Sequence, residues 1–326
     1  MARPRSTLIS VEDTPFYHCV SRCVRKSWLT GIDKYTGKSY EHRQGWVEAR
    51  LLELASVFAI DISAFAIMSN HLHLVLKLDI YEANAWTDRE VVEHWHKLFK
   101  GTYITQKFAK GEVIQTTEVN NLKQSIAQYR SRLSDISWFM RALNEPIARM
   151  ANKEDKCTGR FWEGRFKSQA LLDDAAVLAC MAYVDLNPIR AKMADSTEHS
   201  DHTSIQLRIK SALNGEQPSV LLPFVGNESR GIAKGLLFEI NDYLQLVDET
   251  GRVIRDDKCG MISDTSLQML MRINVPLKNW IKLTTDFSRL FKGPVGTLEA
   301  LGIYSEHLER KRRQGAANCR RWLGST

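Results

Sequence analysis

Residues 68–78, MSNHLHLVLKL, place two histidines one residue apart inside an otherwise apolar run. Read as a strand, the run sends side chains i and i+2 from one face, so His71 and His73 stand side by side, with Leu72, Leu74 and Leu76 at the alternating positions. Two imidazoles then point at one spot. The preceding run, IDISAFAIM at 60–68, also has the length and composition of a strand, and Ser69-Asn70 is a polar pair suited to a hairpin turn. A second pair, His94 and His96 in EHWHK, has the same spacing but falls in a segment that reads as helix, where i and i+2 diverge by roughly 200°. Spacing means little without the backbone beneath it.

Outward from the hairpin, TPFYHCVSRCV at 14–24 follows the pattern of a first strand, aromatic and β-branched. WVEARLLELASVF at 46–58 spaces Val47, Leu51, Leu54 and Phe58 as a helical stripe between that strand and the hairpin. DREVVEHWHKLFK at 88–100 reads as helix, and 119–143 repeats apolar residues in steps of three and four from Leu122 to Leu143, which predicts one long helix. Pro146 is expected to break or restart it. GRFWEGRFKSQALL at 159–172 reads as a strand or extended pair; Asp173 or Asp174 then caps a helix, AAVLACMAYVDLN, that must end near Pro188. Past about 205 the character changes, YLQLVDETGRVIR suggests a hairpin around Thr250-Gly251, and the last 60 residues look helical and finish basic. A boundary near 210 follows, with no convincing internal repeat.

A chain of 326 residues with 44% hydrophobic composition can bury a proper core as one large domain or two ordinary ones. The net charge of +7 and pI near 9.0 favour an anionic partner, nucleic acid first. Six cysteines scattered at 19, 23, 157, 180, 259 and 319 do not form a disulfide framework, so reduced thiols are expected. Cys19 and Cys23 belong to no CxxC and no second pair follows, which argues against structural zinc. No apolar stretch follows MARPRSTLIS, and Glu53 and Asp61 interrupt the greasiest segment, 51–68; a cytosolic protein without membrane association is the reading.

A histidine pair on an apolar strand reads either as two half-buried, hydrogen-bonded side chains or as two ligands of a metal that needs more. AYVDLNP at 182–188 offers a completion: Tyr183 and Asn187 are four apart and share a helix face, with the small Cys180 and Ala176 further back along the stripe. Asn187 can give a carbonyl oxygen to a hard cation, with the Tyr183 hydroxyl one turn away. The competing readings are a core tyrosine with its hydroxyl satisfied and a helix-terminal asparagine before proline.

Together, NHLHLVL at 70–76 and YVDLNP at 183–188 resemble the single-tyrosine HUH transposases, specifically the REP-associated tyrosine transposases that process single-stranded DNA hairpins in bacterial chromosomes. FYHCVSR at 16–22, the asparagine before the histidines and GRFWEGRFKS at 159–168 extend the resemblance over roughly residues 14–195. It implies an α+β fold: an antiparallel sheet with packed helices, a ferredoxin/RRM-like HUH core with the histidines on a central strand, plus a C-terminal mainly helical extension. The chain then divides into residues 1–210, the nuclease domain with a helical insertion at about 80–155, and 211–326, an accessory region expected to bind DNA. The resemblance also implies Tyr183 as nucleophile, and His71, His73 and Asn187 as ligands of Mg²⁺ or Mn²⁺. Single-stranded or hairpin DNA would be the partner, the location bacterial, cytoplasmic and nucleoid-associated. Monomer and homodimer both remain open. The implied reaction is a transesterification in which tyrosine becomes linked to a 5′ phosphate and a 3′ hydroxyl is released. A phenol titrates near ~10, so a nearby cation is needed to favour the phenolate. Imidazoles suit Mn²⁺ better than Mg²⁺, which prefers oxygen.

Candidate DNA contacts are Arg22, Arg25 and Lys26 after the first strand, Arg160, Arg165 and Lys167 before the tyrosine helix, and the tail from Arg310 to Arg321. Trp28 and Trp162 sit among these cations and suit stacking on unpaired bases; core tryptophans on a solvated basic face are the plain alternative. Two other classes compete with a nicking and joining enzyme. One is a domesticated hairpin DNA or RNA binder that does not cleave, which the intact His71, His73, Tyr183 and Asn187 argue against. The other, a hydrolytic metalloenzyme, needs further ligands, and the only extra cluster, HSDH at 199–202, reads as a polar linker.

Overall fold

The structure is a computed structural model that describes residues 9–10, 12–24, 28–33, 36–226, 234–255, 260–309 and 313–323. Strand β1 (Phe16–Arg22) leads through helix α1 (His42–Ala55) to β2 (Ile60–Ile67), and β2 turns at Ser69-Asn70 into β3 (His71–Leu78). A helical run follows: α2 (Ile80–Ala85), α3 (Asp88–Leu98), α4 (Tyr103–Ala109), α5 (Val119–Leu133) and α6 (Ile136–Glu154). Then β4 (Lys167–Leu171) completes a four-stranded sheet in the order β2-β3-β1-β4, every neighbour antiparallel. With α6 as the second crossover helix this is the βαββαβ ferredoxin-like plan, α+β in class, and its two central strands are β3 and β1. Beyond the sheet come α7 (Asp174–Asp185), α8 (Asn187–Arg190), α9 (Ser204–Ala212), α10 (Ile240–Ile254), α11 (Asp264–Arg272), α12 (Leu277–Leu290), α13 (Leu298–His307) and α14 (Ala316–Trp322).

Side-chain alternation sorts the sheet into two faces. Tyr17, Cys19, Leu72, Leu74 and Leu76 share a core with Leu51 and Leu54 of α1 and Phe139 and Leu143 of α6. Val75 and Leu171, from the opposite face, share a second core with α7 and α12. In β2 a bulge at Ile62/Ala64 switches parity, so Ile60 and Ile62 join the first core, as do Phe65 and Ile67. Ala64 and Ala66 thereby turn towards α7, and small residues there let the helix approach closely.

Four readings change at the level of elements. The predicted single helix over 119–143 is two, α5 and α6, because Asp135 caps a new start by accepting from the Trp138 amide at 2.9 Å. Pro146 neither breaks nor restarts a helix; it lies inside α6, where the Ala142 carbonyl that would lose its helical donor accepts from Arg50 Nε of α1 at 3.0 Å. No hairpin forms around Thr250-Gly251: Tyr243, Leu246, Val247, Thr250 and Gly251 are the buried stripe of α10, a helical period. A Cβ on Gly251 would lie 3.2 Å from Leu186 and 3.3 Å from Ile189, so glycine allows α10 to sit against the end of α7 and against α8. HSDH is built into the fold: His202 Nδ1 lies 2.5 Å from Glu48 Oε2 of α1, and Thr203 bridges Ala66 of β2.

Residues beyond 210 share the second core with α7, and Trp280, Leu283 and Phe287 of α12 are buried in it. Among the described residues, no helix is long and apolar enough to cross a membrane.

Candidate active site

The second sheet face carries the candidate residues. On β3 it presents His71, His73 and Val75; on β1, His18, Val20 and Arg22; on β4, Lys167, Gln169 and Leu171. The histidine pair therefore shares a face, with ring centroids 4.8 Å apart. His94 and His96, the pair of equal spacing on α3, diverge: one meets the Val57 carbonyl and the other the Thr105 hydroxyl.

Helix α7 brings the tyrosine. Asp173 caps it by accepting from the Ala176 amide at 2.8 Å and also takes the Thr297 amide at 2.6 Å. Ala176 and Cys180 are fully buried beneath the helix, and Tyr183 emerges one turn later, 8% exposed. Its ring centroid lies 5.7 Å from that of His73 and 6.2 Å from that of His18. Phe287 of α12 packs against the ring at 5.8 Å. On another side the Arg190 guanidinium sits 4.0 Å from the ring centroid and donates to the Tyr183 carbonyl at 2.9 Å and to the Thr284 carbonyl. A fixed cation is thus stacked on the phenol.

Tyr183, His71 and His73 open onto one cleft of about 650 Å³, whose walls include Arg22, Arg165 and Lys167, three of the expected DNA contacts. Asn187 is 7% exposed and adjoins Tyr183, but it borders a separate hollow of about 310 Å³ with Arg190 and Asp286 rather than the histidine cleft. Arg160, Trp28 and Trp162 do not line the cleft; Trp162 turns into the fold, donating Nε1 to the Asn144 carbonyl at 2.8 Å. Cys23 bridges Trp162 and draws the 161–163 segment against the end of β1. Arg25, Lys26 and, in the basic tail, residues 310–312 lie outside the described residues.

Burial holds the imidazoles neutral. Desolvation lowers His18 and His71 to about 4, with the Arg22 and Arg190 charges adding to the effect at His71. His73 is pushed well down by burial, then by its neighbours His18 and His71. Neutral rings keep a lone pair at pH 7, the state a metal requires. His71 Nδ1 lies 2.6 Å from Asn70 Oδ1, and since a carbonyl oxygen only accepts, Nδ1 carries the proton and Nε2 the lone pair. Asn187 Nδ2 is buried with no partner, so that amide is not committed to the surrounding protein. Among the described residues no three His, Cys, Asp or Glu side chains form a metal-holding group, so a cation here would rest on two imidazoles and oxygen donors of another kind. His71 and His73 would hold Mn²⁺ or Mg²⁺ with positions left open, and the oxygen donors beside them are the Tyr183 hydroxyl in the cleft and the Asn187 amide in the neighbouring hollow.

Several residues escaped the sequence reading. His18 and Gln169 belong to the cleft through sheet register, and period-two alternation along FYHCVSR was the available signal for His18. Arg289 and Lys292 reach the cleft, and Arg190 and Phe287 reach the Tyr183 ring, through tertiary packing for which local sequence holds no sign.

Compared with known proteins, the chain matches no family model and no curated protein. Among solved structures it is similar to one described as "Structure of the REP associates tyrosine transposase bound to a REP hairpin", with a TM-score of 0.36 and 12% identity over 69% of this chain and 93% of that one. A likeness that low carries no argument about activity, which rests on the residues themselves.

Proposed function

We propose that the protein is a metal-dependent single-stranded DNA endonuclease and transposase that nicks and rejoins DNA at hairpin sequences through a 5′-phosphotyrosine. The observation that supports this most is the meeting of Tyr183 with the His71–His73 pair in one cleft walled by Arg22, Arg165 and Lys167. A nucleophile, a pair of neutral ligands and a cationic wall in one place suit phosphoryl transfer.

In the proposed reaction Tyr183 Oη bonds to phosphorus, its proton passing to water, while the P–O3′ bond breaks and the 3′ oxygen takes a proton from water. Reversal by a 3′ hydroxyl rejoins the strand, since the phosphotyrosine keeps the phosphodiester's bond energy. Bound Mg²⁺ or Mn²⁺ would neutralise charge on the phosphoryl oxygens. Arg190 and Phe287 hold the phenol ring from two sides, and Arg22, Arg165 and Lys167 receive the backbone phosphates on either side of the cut.

The test is to incubate wild-type and Tyr183→Phe protein with end-labelled hairpin-bearing single strands, with Mn²⁺ or with chelator. A covalent adduct that requires both Mn²⁺ and Tyr183 is expected. Tight hairpin binding without adduct or cleavage across varied substrates would instead favour a non-cleaving binder.

A further inference from the structure

The cleft contains a third histidine with no place in the ligand set, and its contacts run in one direction. Gln169 of β4 lies opposite His18 of β1 in the sheet register. Its Nε2 donates to the Phe291 carbonyl at 3.2 Å and the Gly293 carbonyl at 2.6 Å, both in the segment that follows α12. Two carbonyl oxygens can only accept, so the amide cannot be turned around, and Gln169 Oε1 must be the atom that faces His18 Nδ1, 3.4 Å away. His18 Nδ1 is therefore the donor there. In a neutral imidazole the other nitrogen accepts, and His18 Nε2 lies 2.9 Å from His73 Nδ1. His73 Nδ1 must then carry the proton, which leaves His73 Nε2 with its lone pair.

From this chain of hydrogen bonds we infer that Gln169 and His18 are positioning residues that fix the His73 tautomer, presenting its Nε2 lone pair for a divalent cation. The inference rests on the reading of His71 and His73 as ligands. Asn70 does the same for His71 from the turn, so both rings of the pair are tied at Nδ1 and both offer Nε2. An imidazole left alone in water favours the opposite tautomer, with the proton on Nε2, and would have to surrender it before binding. The relay ends on backbone carbonyls at 291 and 293, so the C-terminal region takes part in the proposed cation site without supplying a ligand.

The experiment uses the full chain, free of metal, with ¹⁵N-labelled histidine. Ring-nitrogen spectra of wild type should show His73 protonated at Nδ1, its signals assigned by their loss in His73→Asn. In His18→Phe, which keeps a ring against Phe287 and Tyr183, and separately in Gln169→Leu, His73 should shift to or mix with the Nε2–H form. Mn²⁺ titration, followed by calorimetry, should then show affinity weakened by about 10–100-fold, the range expected when a ligand histidine loses its outer partner. A role limited to packing would lower Tm but leave the tautomer and the Mn²⁺ affinity as in wild type, and that result overturns the inference. So does wild-type His73 protonated at Nε2. If wild type itself bound no Mn²⁺, the metal reading of the proposed function would fail together with the relay's purpose, an outcome distinct from loss confined to the variants.

Discussion

Three imidazoles kept neutral by burial make the acid side of the stability curve sensitive. His18 and His71 titrate near 4 in the folded chain against 6.5 unfolded, and His73 is lowered in the same sense. Between those values the unfolded chain binds more protons, so their contribution is whole above about pH 6.5 and is lost as pH falls towards 4. Each group contributes a slope of up to about 1.4 kcal/mol per pH unit. Asp185 opposes them: burial raises it to about 6 despite its hydrogen bonds from Ser204 and Tyr243, so the folded chain takes up its proton where the unfolded chain does not. His199, raised by Asp195, opposes them in the same sense and His96, lowered by burial, adds to them, so the buried imidazoles still set the sign. Urea midpoints should therefore fall steadily from pH 7 to pH 5, and the fall should be shallower in His18→Phe; a flat profile in wild type would count against neutral, buried rings.

At the level of elements, α6 continues through Pro146 because an arginine on another helix supplies the missing donor. Replacing Arg50 by Met should leave the Ala142 carbonyl without that partner and cost about 1–3 kcal/mol in urea unfolding. In a Pro146→Ala background the residue-146 amide can take over, so the same replacement should cost clearly less, and additive effects in the double-mutant cycle would refute the compensation. The same elements explain what was legible in advance. The strands β2 and β3 and the turn between them are plain in IDISAFAIM-SN-HLHLVLKL because two apolar, strand-length runs flank a polar pair. The sequence of α10 suggests a hairpin because Gly251 resembles a turn residue in isolation, and its purpose, room for Leu186 and Ile189, exists only once the helices pack. Gln169 was invisible for a related reason, since its role is set by carbonyls 122 and 124 residues away.

Across the whole molecule, the two faces of one sheet support two cores, and the second is closed by residues beyond 210. Trp280, Leu283 and Phe287 of α12 are buried in that core with Leu178 and Met181 of α7. A chain ending after Ala212 would expose the α7 side of the core to water. It should lose its near-ultraviolet circular dichroism, bind ANS and aggregate, and a cooperatively unfolding fragment would show instead that 211–326 is a separable unit. That His71, His73 and Tyr183 belong together as candidates is legible in local text, whereas the rim formed by Arg289 and Lys292 depends on how the second core closes.

Helix α7 is held from the sheet side, from α12 and at its far end, where Asp185 receives hydroxyls from Ser204 and Tyr243 at 2.5 Å each. Tyr183 stands two residues before that anchor, on a mooring rather than a hinge. On the proposed chemistry, a severed 5′ end would be tied to a stationary post, and the work of bringing a new 3′ end into line would fall to the flexible nucleic acid.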